Sequence, residues 1–132
     1  MPTQFRSEAL LRTIGSNVAG LLPGAERLAS GLRLYLQAAA ADRSLAQTLA
    51  DSTLDILEPG DAVRPRLSAD IVQAMRRGQV RGVSLEEALN LIAGAMLVAL
   101  QRIARGAVPH GYHERMVGDI LRSLGKSVRQ AL

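Results

Sequence analysis

Apolar residues recur along this chain at steps of three and four, and no segment alternates with the period of two that marks a half-buried strand. The clearest element opens at Ser84, which together with Glu87 has the spacing of a capping box. In that motif each side chain satisfies an orphan backbone N–H of the first turn. At about 100° per residue, Leu85, Leu89, Ile92, Met96 and Ile103 then share one face. Leu91 and Val98 point well away from it. A helix with a second apolar flank needs a second surface to pack on, and in so short a chain that surface is expected to be another copy of the protein. Gly106 ends this helix, and Val108-Pro109-His110-Gly111 forms a turn. The last helix is predicted from Tyr112 to Leu124, with Met116, Val117, Ile120, Leu121 and Leu124 on one side. Gly125 is placed to close it in the left-handed conformation, leaving 126–132 to add a turn or fray.

Upstream, a first helix is predicted from Phe5 to Leu22, ended by Pro23-Gly24. A second spans Ala25 to Ala41, with Leu28, Leu32, Tyr35, Leu36 and Ala39 on one side. Asp42 is placed to cap a third, whose apolar face is Leu45, Leu49, Ile56 and Leu57. Glu58-Pro59-Gly60-Asp61 is the clearest loop. Pro65 suits the first turn of a fourth helix, because its missing N–H is an orphan there anyway. Leu67, Ile71 and Met75 mark that helix at steps of four, and Gly78 stops it. Six helices with short connections predict a single all-α domain, a six-helix bundle.

Composition narrows the function classes. The 132 residues suffice for one domain with a real core, and 48% hydrophobic against 21% charged residues is a folded, globular balance. The chain has no cysteine, so disulfides, thiolate metal sites and cysteine nucleophiles are excluded. Its N-terminus lacks the basic start and apolar run of a signal peptide. The apolar run from Leu91 to Leu100 is about half of the roughly 20 residues a membrane span needs. A soluble, cytoplasmic protein is the expectation. The net charge is +4, but the arginines are scattered, Arg76-Arg77 is the only adjacent basic pair, and Lys126 is the only lysine. Three aromatic residues, Phe5, Tyr35 and Tyr112, are too few for a base-stacking platform. Direct DNA binding by this chain alone is not expected.

Candidate chemistry is sparse. His110 and His113 stand three apart with Glu114 adjacent, but no third ligand accompanies them, so neither a metal nor any other cofactor is expected. Asp51, Asp55 and Glu58, at i, i+4 and i+7, read as one solvated helix face. No glycine-rich loop follows a strand and no Ser–His–acid set has an identifiable spacing. The chain is not expected to be an enzyme.

With the helix order established, the chain resembles the C-terminal, ligand-binding and dimerisation domain of TetR-type transcriptional regulators. Phe5-Arg6-Ser7-Glu8-Ala9-Leu10-Leu11 is similar to the stretch that follows the family's DNA-reading head, although this chain has no lysine between Ser7 and Glu8. Glu26-Arg27-Leu28, followed by Tyr35-Leu36 and Asp42, resembles the family's second regulatory helix. Arg64-Pro65-Arg66-Leu67 leading to Met75-Arg76-Arg77-Gly78-Gln79-Val80-Arg81 looks like the helix and loop before its dimerisation helices. Ala104-Arg105-Gly106, Pro109, Gly111-Tyr112 and Leu121-Arg122-Ser123-Leu124-Gly125 are similar to a common family ending. These matches span nearly the whole chain, each as a loose pattern of apolar residues and turns.

The resemblance implies a connecting helix in 1–24, effector-pocket helices in 25–83, dimerisation helices in 84–125 and a tail in 126–132. It implies that the last two helices pair with their copies in a second subunit as a four-helix interface of a homodimer, through Leu91, Ala95, Val98, Arg102, Val117, Leu121 and Leu124. Gly94 and Ala95 would allow close helix approach. It also implies an apolar effector pocket, here lined by Leu32, Tyr35, Leu36, Leu49, Ile71, Met75, Ile92 and Met96. Few aromatics and little buried charge point to a small lipophilic effector. The family's helix-turn-helix head has no counterpart, since only four residues precede Phe5. An alternative is an interaction module that pairs with a complete regulator and antagonises it, because a one-headed dimer loses half of its two-half-site contact.

Overall fold

The capping box closes as its spacing predicts. The Glu87 N–H donates to Ser84 Oγ at 3.1 Å, and the Ser84 N–H donates to Glu87 Oε1 at 2.9 Å. Asp42 likewise caps the helix after it, accepting from the Ser44 and Leu45 N–H groups at 3.1 and 3.2 Å. A computed structural model describes the backbone of residues 3–106 and 108–131, and side-chain surroundings for 9–106 and 108–125. The side chains of Phe5 to Glu8 therefore lie outside the described residues. Six α-helices form the described chain and no strand is present among them: α1 (Thr3–Val18), α2 (Ala25–Ala41), α3 (Arg43–Ser52), α4 (Arg64–Arg76), α5 (Leu85–Ala104) and α6 (Tyr112–Ala131). The fold is all-α.

α2 and α5 form the centre. α2 contacts all five other helices, and α5 packs on α2, α3, α4 and α6. Between them Leu28, Leu36, Leu49, Ile71, Leu89, Ile92 and Leu100 are fully enclosed. Each such side chain contributes about 1.5–3 kcal/mol of burial free energy. At Gly106 the chain leaves α5 with a φ of +75°, a conformation in which a Cβ would clash with the following carbonyl.

Three elements differ from the sequence pattern. α1 ends at Val18, and residues 19–22 turn, with the Leu21 N–H donating to the Val18 carbonyl. The expected third helix breaks after Ser52 into a 3-10 turn, Thr53–Leu57. There the hydroxyls of Ser52 and Thr53 both reach back to carbonyls of the preceding turn, a competition that bends helices. The third correction is at Gly125. It does not terminate α6; the helix runs through it to Ala131. A Cβ at this position would stand 3.1 Å from the Gln79 carbonyl oxygen, so the glycine permits α6 to pass the loop before α5. The Arg81 N–H secures that crossing by donating to the Leu124 carbonyl at 3.0 Å.

α5 is longer in apolar terms than the sequence estimate. Over its 20 residues it carries a window of mean hydropathy 1.3, long and apolar enough by length and composition to cross a membrane. Its inner face is instead committed to the core through Leu89, Ile92, Met96, Leu100 and Ile103. On its outer flank Leu91 and Val98 keep 48% and 51% of their surface exposed.

Candidate functional site

A cavity of about 860 Å³ lies between α1, α2, the α3 end with its 3-10 turn, α4 and α5. Its apolar wall is built from inward positions of three helices: Ile14 and Val18 from α1, Leu28 and Leu32 from α2, and Ile92 and Met96 from α5. The volume and the mixture of an apolar wall with a few polar groups are those of small-molecule sites.

The polar part of the wall centres on Asp70 of α4, which is only 2% exposed. Its Oδ1 accepts from Arg27 Nε at 2.6 Å and from the Gly24 N–H at 3.2 Å. Gly24 caps α2 with a φ of +146°, open to glycine and costly for other residues; its N–H is one of the helix's orphan donors. The pair thus ties the start of α2 to the middle of α4 beside the cavity. Asp61 also lines the cavity but is committed to α4, accepting from the Val63 and Arg64 N–H groups at 2.9 and 3.0 Å.

Tyr35 and Thr53 also line the cavity and are joined by a side-chain hydrogen bond. Burial raises the Tyr35 hydroxyl pKa above its ordinary 10.0; the hydrogen bond with Thr53 opposes this and the nearby Asp55 carboxylate adds to it. At neutral pH Tyr35 is therefore a neutral hydroxyl. Because the shift is upward, its contribution to stability is fully present below the unfolded value near 10 and is lost as pH rises through the higher folded value. In a Tyr112→Phe variant, which isolates Tyr35, the tyrosinate absorbance is expected to have its midpoint above pH 10. A midpoint at or below 10 would contradict the burial of this ring.

The structure brings together four of the eight expected lining residues: Leu32, Tyr35, Ile92 and Met96. Leu36, Leu49 and Ile71 do not line the cavity and are enclosed in the core. Met75 is half-buried against the same core and is also outside the cavity. Asp51 and Asp55 are exposed, as a solvated face requires, yet both line the cavity, and Glu58 does not. The wall is more charged than an apolar pocket, since Arg12, Arg27, Arg66 and Asp70, none of them among the eight expected lining residues, all line it. One signal for Asp70 was present. It falls between Leu67 and Ala74 on the inward side of α4, where a carboxylate requires a partner.

On the other side of α5, Leu91, Ala95, Val98 and Arg102 fall on one stripe, with Leu91, Val98 and Arg102 exposed and Ala95 half-buried. Above Gly94 nothing lies within 4 Å of a Cβ position. Leu121 is half-buried on α6. Val117 and Leu124 are corrected: both are enclosed in the core of the single chain. α6 has a single apolar stripe, and with Ile120 they spend it on the same chain. His110 is exposed in the turn before α6 and His113 is half-buried. Among the described residues no three acidic or histidine side chains gather as a metal site.

No protein-family model, curated protein or solved structure matches this chain.

Proposed function

We propose that this chain is the effector-binding and dimerisation domain of a TetR-type transcriptional regulator, acting in the cytoplasm as a homodimer. The observation that carries the reading is the double use of α5. Ile92 and Met96 line the cavity while Leu91 and Val98, on the same turns, face outward. A ligand that favours one position of α5 necessarily biases any contact made by its outer flank. α1 lines the cavity as well, through Ile14 and Val18, so the same ligand acts on the helix that would lead to a DNA-reading head. The mechanism is a population shift between two inter-helix arrangements, its size set by the ligand's differential affinity for them. This chain binds no DNA alone, enters no membrane and catalyses no reaction in this reading. The cavity favours a sensor over an interaction module that antagonises a complete regulator, since such a module needs only the outer flank.

Native mass spectrometry of the purified protein, before and after denaturing extraction, tests the proposal. The expected result is a dimer carrying a co-purified small molecule that denaturation releases. A monodisperse monomer at micromolar concentration would overturn the dimer and the coupling that depends on it.

A further inference from the structure

Resting on the reading of the cavity as a ligand site, we infer that its ligand is an amphipathic carboxylate, with the carboxylate on the arginine side and an aliphatic body along α2 and α5. Arg27 is the anchor. Its guanidinium carries five N–H donors, and Nε, bound to Asp70, is the only nitrogen with a partner among the described residues. Among the described residues no buried side-chain nitrogen or oxygen lacks a hydrogen bond. The remaining Arg27 nitrogens are therefore not sealed in the core, and the residue lines the cavity with 17% of its side chain accessible. Asp70 holds this fork in place from a position that is itself almost wholly buried.

Two further guanidinium groups reach the same space. Arg66 lies across α1 at Gly15, where a Cβ would stand within 3 Å of its guanidinium carbon. The absence of a side chain at Gly15 is what lets it lie there. Arg12 lines the cavity from α1, and the side chain of neither Arg12 nor Arg66 makes an ion pair or hydrogen bond among the described residues. The lining carries four aspartates beside the three arginines, but none of the four makes an ion pair with Arg12 or Arg66 among the described residues. Asp70 is spent on Arg27 and Asp61 on two backbone N–H groups. Asp51 accepts from Gln47 on α3, and with Asp55 it belongs to the α3 side. Arg12 on α1 and the exposed Asp51 and Asp55 on the α3 side thus line one cavity from different elements. Planar guanidinium forks match a carboxylate in two-bond geometry, and Asp51 and Asp55 disfavour a head of higher negative charge. Leu28, Leu32, Ile92 and Met96 line the same cavity and make no hydrogen-bonding demand on an aliphatic body.

The test compares decanoate, decan-1-ol and decylammonium, each below its aggregation threshold, by isothermal titration calorimetry against the full chain. Decanoate is expected to bind at least about tenfold more tightly than either, the scale of one charge-assisted hydrogen bond. Arg12→Gln with Arg66→Gln changes only exposed side chains, and is expected to weaken decanoate about tenfold while leaving decan-1-ol unchanged. Arg27→Gln with Asp70→Asn removes both charges together, so that no lone carboxylate stays buried, and is expected to abolish the preference for decanoate. Equal or tighter binding of decan-1-ol or decylammonium by the unaltered protein would overturn the carboxylate and leave the cavity reading intact. Failure of all three probes to bind would overturn the cavity reading itself.

Discussion

Glutamate at both Leu91 and Val98 is expected to convert the proposed dimer into a monomer at micromolar concentration, with the helical content of the protomer unchanged. The two residues stand seven apart on α5, about half exposed, with Ala95 between them and nothing above Gly94. Large apolar side chains near the centre of an interface contribute about 2 kcal/mol or more each when truncated. Glutamate goes further than truncation, because each carboxylate would lose water on association and meet its own copy across a two-fold axis. Taking about 4 kcal/mol for the pair, the dissociation constant rises on the order of a thousandfold. Neither side chain belongs to the enclosed core, so the circular dichroism spectrum and thermal transition of the isolated protomer should stay close to the parent's. Sedimentation velocity over a dilution series reads the result. An unchanged association constant would place the contact elsewhere on the surface.

The second large effect is on stability. Arg27→Ala is expected to destabilise the fold by about 3 kcal/mol, at the low end for breaking a buried ion pair. The reason lies with the partner left behind. Asp70 would remain buried with the Gly24 N–H as its sole donor of those now present. Arg27 keeps some contact with solvent, which is why the upper end of the range does not apply. Against a total of roughly 5–15 kcal/mol for a domain, such a loss is large. Asp70→Asn should cost less, because an amide oxygen still accepts from both Gly24 and Arg27. Replacing both residues by apolar side chains of similar size should cost least, since no unpaired charge is then enclosed. Urea denaturation with the slope held constant separates the three variants. A loss for Arg27→Ala no greater than that of a surface substitution, within about 0.5 kcal/mol, would mean that the pair does not tie α2 to α4.

Much of the helix order was legible because local chemistry agreed with global packing. Ala25–Ala41 is the span its apolar spacing indicates, and Asp42, Ser84 and Pro65 occupy the helix starts that their side chains favour. Leu91 and Val98 were legible for the same reason: a position on a helical wheel depends only on the 3.6-residue period. The cavity was legible in half. Leu32, Tyr35, Ile92 and Met96 were found as inward residues and line it, but Leu36, Leu49 and Ile71 are inward as well and do not. Periodicity states that a side chain faces the interior and cannot state whether another helix fills the space before it.

The amino-acid sequence by itself determined the all-helical class, most helix starts and the two-sided character of α5, because caps, breakers and period act within a few neighbouring residues. Only the tertiary structure decided which apolar faces meet. It assigned Val117 and Leu124 to the core of the single chain, carried α6 through Gly125 past the Gln79 carbonyl, and joined Arg27 to Asp70 across 43 positions of chain. Those outcomes depend on distances between segments far apart in the chain, which no local pattern encodes. The charged wall of the cavity is a property of that assembly: Arg12, Arg27 and Arg66 come from three helices and share one space only once the bundle has closed.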